Sequence, residues 1–304
     1  MENKLPTWGL ALSGSGNRST FYIGFLEFLT EQGLVPDYIS ACSGASLVSA
    51  AYACGKLSEF KEVALKLDKE NIKKFISRSV EKGGYYSLDR LEEEMQTFTR
   101  GLTFEEVRPH MSFISVDIET GEQIVLCMGD IARAARISCT LPGVFEPVKW
   151  GGKTLVDGGL LITIPADVLK EVGVEVIIGI NMRGTKHIFT DRQINFKKIF
   201  NSFKKYLFID ELELFINNTL KLDNDEDFGK KTGLFSVLGK SLDLAILASA
   251  KKQKIIPCDL IITPSIVNLK RSDFTTEKLS MYYNEGRKSA EENIPQIRKI
   301  LEQK

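Results

Sequence analysis

The sequence predicts an α/β fold built on a mainly parallel sheet, and three observations carry that prediction. Residues 8–12, Trp-Gly-Leu-Ala-Leu, read as a short buried strand that passes through seven small or polar residues into an apolar-rich helix. Residues 38–42 repeat the plan, with a β-branched and aromatic start, a knot of small residues around Ser43, and an apolar helix that runs to Gly55. Two strand–turn–helix units in succession indicate parallel strands joined by right-handed crossovers. Composition agrees: the 304 residues are 43% hydrophobic and 26% charged, ordinary values for a globular chain. No internal repeat, low-complexity tract or proline-rich linker divides the chain, so one domain over 1–304 is the simplest account.

Charge and cysteine usage exclude several classes. Forty basic residues balance forty acidic ones, so no global field favours nucleic acid, and no nucleic-acid partner is expected. The five cysteines (Cys42, Cys54, Cys127, Cys139 and Cys258) are odd in number, scattered, and never in a C-x-x-C pair. That spacing points to neither a disulfide framework nor a zinc site, and no metal or cofactor is expected. The first residues are short and polar, without a signal-peptide pattern, and no stretch approaches the ~18 consecutive apolar residues of a membrane span. A soluble, cytoplasmic chain is the expectation.

The elements follow in order. After the first strand, the loop 13–19 leads into a helix carrying Phe21, Tyr22, Ile23, Phe25, Leu26, Phe28 and Leu29, closed near Gly33. The second strand and helix flank Ser43. From Lys56 to Arg100 the chain is charged and helix-periodic. Phe60, Val63, Ala64 and Leu67 mark one apolar face and Leu91, Met95 and Phe98 another, with Ser87 and Asp89 as a helix start. A strand over 113–118 turns through 119–122 and returns antiparallel over 123–128. A short helix over 131–138 carries Arg133 and Arg136. Gly151-Gly152 fits a two-residue hairpin turn, and the returning strand 154–156 ends at Asp157-Gly158-Gly159. A helix over 164–172, a buried strand over 175–180, a last strand over 259–262 and a terminal helix over 277–301 complete the plan. Between them, 234–250 reads as a largely buried helix.

Three local patterns have chemistry to offer, each beside an ordinary alternative. The loop Ser13-Gly14-Ser15-Gly16-Asn17-Arg18-Ser19 leaves backbone N–H groups free at a helix N-terminus, where phosphate or an oxyanion can be held. It lacks the G-K-[ST] ending of a P-loop and the third glycine of a dinucleotide loop, and a plain βα turn is the alternative. Ser43, in the frame A-C-S-G-A, has the small neighbours that let a nucleophile stand clear of a strand–helix turn, in the manner of a G-x-S-x-G elbow. Asp157, held at a strand end by two glycines, is either a turn residue bonding the N–H groups that follow or an acid pressed against another segment. The loop and Ser43 both lie at carboxyl ends of parallel strands and so share one crevice. A fourth stretch, 196–207, sets Phe196, Phe200, Phe203 and Leu207 on one helical face beside Lys197, Lys198, Lys204 and Lys205. It is either a core helix with snorkelling lysines or a peripheral membrane contact.

Taken in order, these patterns resemble the patatin-like phospholipase family. Residues 12–19 are similar to its glycine-rich oxyanion loop with arginine, Ala41-Cys42-Ser43-Gly44-Ala45 to its nucleophile elbow, and Asp157-Gly158-Gly159 to its D-G-[GA] motif. The flanks, from Ser138 to Phe145 and from Pro165 to Val168, are similar as well. The likeness runs from about Trp8 to Leu301 and fades over 190–231, which reads as a helical insertion. It implies a three-layer α/β/α sandwich and a Ser–Asp dyad that hydrolyses acyl esters of lipids or phospholipids. By position Ser43 is the nucleophile and Asp157 the base. Gly14, Ser15, Gly16 and Asn17 would offer oxyanion N–H groups, joined by Gly44 after the nucleophile, with Arg18 nearby to bind an anion or headgroup.

The residue inventory suits a dyad. Of two histidines, His110 precedes a strand and belongs at the opposite sheet end, and His187 lies in a loop beside Lys186. An ordinary aspartate, with a pKa near 3.9 in model peptides, is a weak base for a serine hydroxyl. Oxyanion stabilisation must therefore carry much of the catalysis, one donor being worth roughly 3–4 kcal/mol. Cys42, one residue before the tip, should point into the sheet, and Ser46 should lie inside the helix, which leaves Ser43 as nucleophile. This sequence departs from the family at Ala41, Ala45, Ser15 and Ser19. A positive φ at Ser15 would cost roughly 1–2 kcal/mol. These departures support the rival reading, a catalytically weakened lipid-binding or regulatory module. Acyl transfer to an alcohol other than water is a third.

Overall fold

The apolar run Trp8–Leu12 forms β1, and every one of its residues is buried, as a strand covered on both faces must be. The computed structural model describes residues 6–182, 257–268 and 274–304, apart from positions 69, 80–82 and 85. The stretches expected to be helical over 196–207 and 234–250, the insertion over 190–231, and His187 lie outside the described residues.

From β1 the chain makes a short 3-10 turn, Gly16–Ser19, and enters α1, Thr20–Glu31. Strand β2, Tyr38–Cys42, follows, then α2, Gly44–Ala53, and α3, Leu57–Ala64. Two short strands, β3 (Ser77–Arg78) and β4 (Tyr86–Ser87), pair with each other, Tyr86 also bridges to Phe145, and α4, Asp89–Thr99, follows. Next come β5, His110–Asp117, β6, Gln123–Leu126, and α5, Ile131–Ser138. The hairpin β7–β8, Val148–Trp150 and Lys153–Asp157, turns at Gly151 and Gly152 with φ of 54° and 79°. Both glycines thus sit in the left-handed region that such a turn requires. Helix α6, Ala166–Glu171, β9, Val176–Ile180, β10, Leu260–Ile262, and α7, Thr276–Gln303, complete the described elements.

The sheet is mixed, with a parallel core. Strands β10, β9, β1, β2 and β5 run parallel in that order, and β6, β8 and β7 are antiparallel additions. Side chains alternate between its faces, as strand geometry demands. Leu10, Leu12, Ile39, Ala41, Phe113 and Ile178 enter the large cluster that holds α1, α2, α5 and α7. Ala11, Ile177, Cys42 and Ile114 face the other way, toward α6. The fold is therefore a three-layer α/β/α sandwich.

Helices α1 and α7 cross backbone to backbone. A Cβ on Gly24 would lie 2.1 Å from Tyr283 O, and one on Gly286 2.0 Å from Phe21 O. Arg287 spans the crossing, with Nη1 3.1 Å from one Glu27 oxygen and Nη2 2.7 Å from one of Glu31. Since no rotamer change relieves a clash with backbone, Gly286→Ala is expected to cost about 3 kcal/mol. Urea unfolding would read that as a lower midpoint with an unchanged m value.

The pairing of β5 places the site. Along one edge, β2 pairs as far as Cys42 opposite Ile114, and β8 arrives from the other direction with Asp157 opposite Ser115. Strand β6 pairs with the same central residues of β5 and so occupies its other edge. β5 therefore acts as a splint on which the carboxyl ends of β2 and β8 meet at adjacent residues. Sequence spacing alone places Asp157 at a strand end; it does not foresee this head-to-head junction.

Candidate active site

The chain leaves β2 at Cys42 and turns sharply at Ser43, with φ 55° and ψ −136°, before α2 begins. A positive φ on a residue with a side chain costs about 1–3 kcal/mol and persists only where the surroundings hold it. Here they do. The Ser43 N–H donates to Ser138 Oγ at 3.0 Å. The Ser43 carbonyl accepts the Ser46 N–H at 2.8 Å and the Ser46 hydroxyl as well. The strain falls on Ser43 and spares its neighbours: Ala41 and Ala45 keep negative φ, and the methyl groups that replace the two glycines are accommodated.

The glycine loop lies directly against the elbow. A Cβ on Gly14 would sit 3.2 Å from Ser43 Cβ, and one on Gly44 2.9 Å from Gly16 O. Both contacts are close enough that side chains at these positions would push the two segments apart. The turn's positive φ, 58°, falls on Gly16, while Ser15 has φ −140°. The cost that a positive φ at Ser15 would carry is therefore not incurred, because the adjacent glycine takes the left-handed conformation. Among the described residues no hydrogen bond uses the N–H of Gly14, Ser15, Gly16 or Gly44. The Ser43 N–H, by contrast, is occupied by Ser138. Asn17 is buried in the 3-10 turn.

Arg18 has a different setting from the one its motif suggests. It is fully buried, and its Nε and Nη1 donate to the carbonyls of Ser15 at 3.4 Å and Ile266 at 3.3 Å. The guanidinium thus ties the loop's backbone to the segment after β10, rather than standing in solvent as a headgroup ligand would.

Asp157 is buried, 6% exposed. Its N–H donates to Thr140 O at 2.8 Å, and its Oδ1 accepts the Gly159 N–H at 2.8 Å. The two local readings of this residue therefore coexist, since the turn bond is present and the backbone is also pressed against another segment. A Cβ on Gly158 would lie 2.5 Å from both C and O of Ile114, so only glycine lets the chain pass β5 so closely. The Cys42 thiol also donates to Asp157 Oδ1, with sulfur and oxygen 3.6 Å apart. Cys42 is buried on the α6 face, as expected of a residue before the tip, yet its contact with the carboxylate went unforeseen. Burial, and next the Asp157 charge, push the Cys139 thiol well above its usual range, with the Ser46 hydroxyl acting against them. Cys139 is therefore a protonated neighbour of the site rather than a thiolate rival to Ser43.

His110 opens β5 opposite Tyr38 and stacks on its ring with centroids 5.0 Å apart. It lies four residues, or roughly 13 Å, down the strand from Ile114, away from the elbow. Among the described residues no group of three or more His, Cys, Asp or Glu side chains is arranged to hold a metal. No helix among them is long and apolar enough to cross a membrane.

Known proteins match this chain in sequence and in fold. A family model described as patatin-like phospholipase matches residues 10–170, which span the loop, the elbow and Asp157. An uncharacterized NTE family protein of Mycobacterium bovis is 25% identical over 181 residues, covering 60% of this chain and 50% of its own length. A second such protein, from Mycobacterium tuberculosis, is 31% identical over 166 residues, covering 53% of this chain and 28% of its own. The chain thus spans half or less of the length of these relatives. Among solved structures, VipD from Legionella pneumophila superposes with a TM-score of 0.52 at 15% identity, covering 94% of this chain and 66% of that one, a likeness of fold.

Proposed function

The chain belongs to the patatin-like phospholipase family, and from that membership we propose that it hydrolyses fatty-acyl esters of lipids through a Ser43–Asp157 dyad. One observation carries the reading: β5 joins the ends of β2 and β8 so that the Ser43 elbow and Asp157 meet beside Gly14. Lysophospholipase NTE1 of Eremothecium gossypii, 27% identical over 191 residues, lends its substrate class to the proposal.

The steps follow from the groups present. Ser43 Oγ attacks the ester carbonyl carbon while its proton passes to Asp157. Charge gathers on the carbonyl oxygen, and the N–H groups of Gly14, Ser15, Gly16, Asn17 and Gly44 are the donors assigned to it. The Ser43 N–H is spent on Ser138, which leaves this task to the loop and to Gly44. Collapse breaks the ester C–O bond, and the leaving alcohol takes the proton from Asp157. Water then attacks the acyl-enzyme by the same route and releases the fatty acid. Arg18, clamped on the Ser15 carbonyl, serves by holding the loop in shape.

The rival reading, a weakened lipid-binding module, drew its support from the substitutions at Ser15, Ser19, Ala41 and Ala45. All four keep negative φ, so none of them brings backbone strain to the loop or the elbow. A fluorophosphonate probe tests the choice. Covalent labelling that maps to the peptide containing Ser43, and that disappears in Ser43→Ala, is the expected result. A folded chain that resists the probe would return the module to favour.

A further inference from the structure

We propose that the carboxyl end of α5, residues 138–140, is a clip that sets the nucleophile against its base, with Ser138 as a positioning residue. The proposal rests on the roles just assigned to Ser43 and Asp157. Ser138 is fully buried and touches both halves of the junction. Its hydroxyl donates to the Ile114 carbonyl at 2.7 Å, and with that proton committed its lone pairs accept the Ser43 N–H at 3.0 Å. Two residues later, the Thr140 carbonyl accepts the Asp157 N–H at 2.8 Å. One tripeptide therefore holds the backbone of the nucleophile with a side chain and the backbone of the base with a carbonyl.

Ile114 is the common anchor. It pairs with Cys42 at the end of β2, its carbonyl takes the Ser138 proton, and the same carbonyl is the surface on which Gly158 packs. The segment's own shape is fixed from within, since Thr140 Oγ1 donates to Arg136 O at 3.1 Å and the Cys139 and Thr140 N–H groups bond back into the last turn of α5. A positive φ such as that of Ser43 persists only where the surroundings hold it, and Ser138 holds its N–H while Ser46 holds its carbonyl. Losing the bond moves Oγ relative to Asp157 while leaving the lipid-facing surface untouched. A misplacement of about 1 Å between reacting groups can cost on the order of a hundredfold in rate.

The test is the kinetics of fluorophosphonate labelling at Ser43 over a range of probe concentrations, with thermal unfolding measured alongside. Ser138→Ala is expected to lower the maximal labelling rate by about 10- to 100-fold without changing the half-saturating concentration. Ile297→Val, a core truncation in α7, is the control for lost stability and is expected to label at the wild-type rate. Ser138→Cys keeps a weaker hydrogen-bonding atom of similar size and is expected to fall between Ser138→Ala and wild type. It carries the test if the alanine variant does not fold. A folded Ser138→Ala or Ser138→Cys protein labelling within twofold of wild type would overturn the clip. Wild-type protein that does not label at all would instead remove the Ser43 reading on which the clip depends.

Discussion

Asp157→Asn is expected to slow acylation of Ser43 by about 10²–10⁴-fold, the range over which a positioned general base accelerates proton transfer. The substitution preserves nearly everything except basicity. An amide oxygen can still accept the Gly159 N–H that Oδ1 accepts at 2.8 Å, and the backbone bond to Thr140 is unaffected. Cys42 donates to a neutral oxygen in place of a charged one, a weaker bond. The variant should therefore unfold close to the wild-type temperature while its rate collapses, which separates loss of chemistry from loss of fold. Single-turnover acylation, followed by release of the alcohol, measures it directly. A rate within tenfold of wild type would mean that another group takes the proton.

Arg136→Met is expected to have the largest effect on stability, about 3–4 kcal/mol, the lower part of the range for stranding buried charges, because Glu92 and Glu146 are partly buried while Asp89 stays in contact with water. Arg136 is 7% exposed, and three acids surround it. Asp89 lies 2.7 Å away, Glu92 3.7 Å and Glu146 3.6 Å, with the Ser87 hydroxyl at 3.2 Å. Burial lifts Glu92 above the usual carboxylate range, and the Arg136 charge pulls against it. Without that charge, burial acts on Glu92 with less opposition, and this side chain favours the protonated form more strongly still in the folded chain. Its folded pKa lies above the unfolded one, so the part of the penalty that Glu92 carries is full at neutral pH and shrinks as the pH falls and the carboxylate protonates. Urea unfolding at neutral and mildly acidic pH reads both the size and the sign. Arg136→Lys, with its charge but without a planar fork to reach several acids, should lose less. Because Arg136 stands two residues before Ser138, the methionine variant should also label more slowly at Ser43.

Much of this architecture is legible in the sequence, for reasons that differ by element. β1, β2 and β9 are short, largely buried runs of five residues bounded by turn residues, the length and burial of central parallel strands. α5 begins at Asp130, whose carboxylate caps the Arg133 N–H, and the apolar period that follows fixes its length. Other features depend on contacts that no local pattern contains. β5 begins at His110, three residues ahead of the apolar run, because Tyr38–Ser40 of β2 offers a paired edge there.

Within the site, the loop, the elbow and Asp157 are visible as residues; parallel neighbours bring the loop to Ser43, and the arrival of Asp157 follows only from pairing on β5. Ser138 is the clearest omission. A serine at a helix end is unremarkable in sequence, and its importance comes from a bond to a residue 95 positions away. Arg18 shows the converse. Its motif advertises an anion ligand, whereas the fold buries it as a brace for the loop.

The most direct measurement is to trap the acyl-enzyme. The full chain is incubated with a long-chain fatty-acyl ester, quenched in acid, and mapped by peptide mass. The dyad predicts a fatty-acyl adduct on Ser43, formed in step with release of the alcohol, and neither adduct nor turnover in Ser43→Ala. An adduct on Cys42 or Ser46, or ester hydrolysis that survives Ser43→Ala, would contradict it.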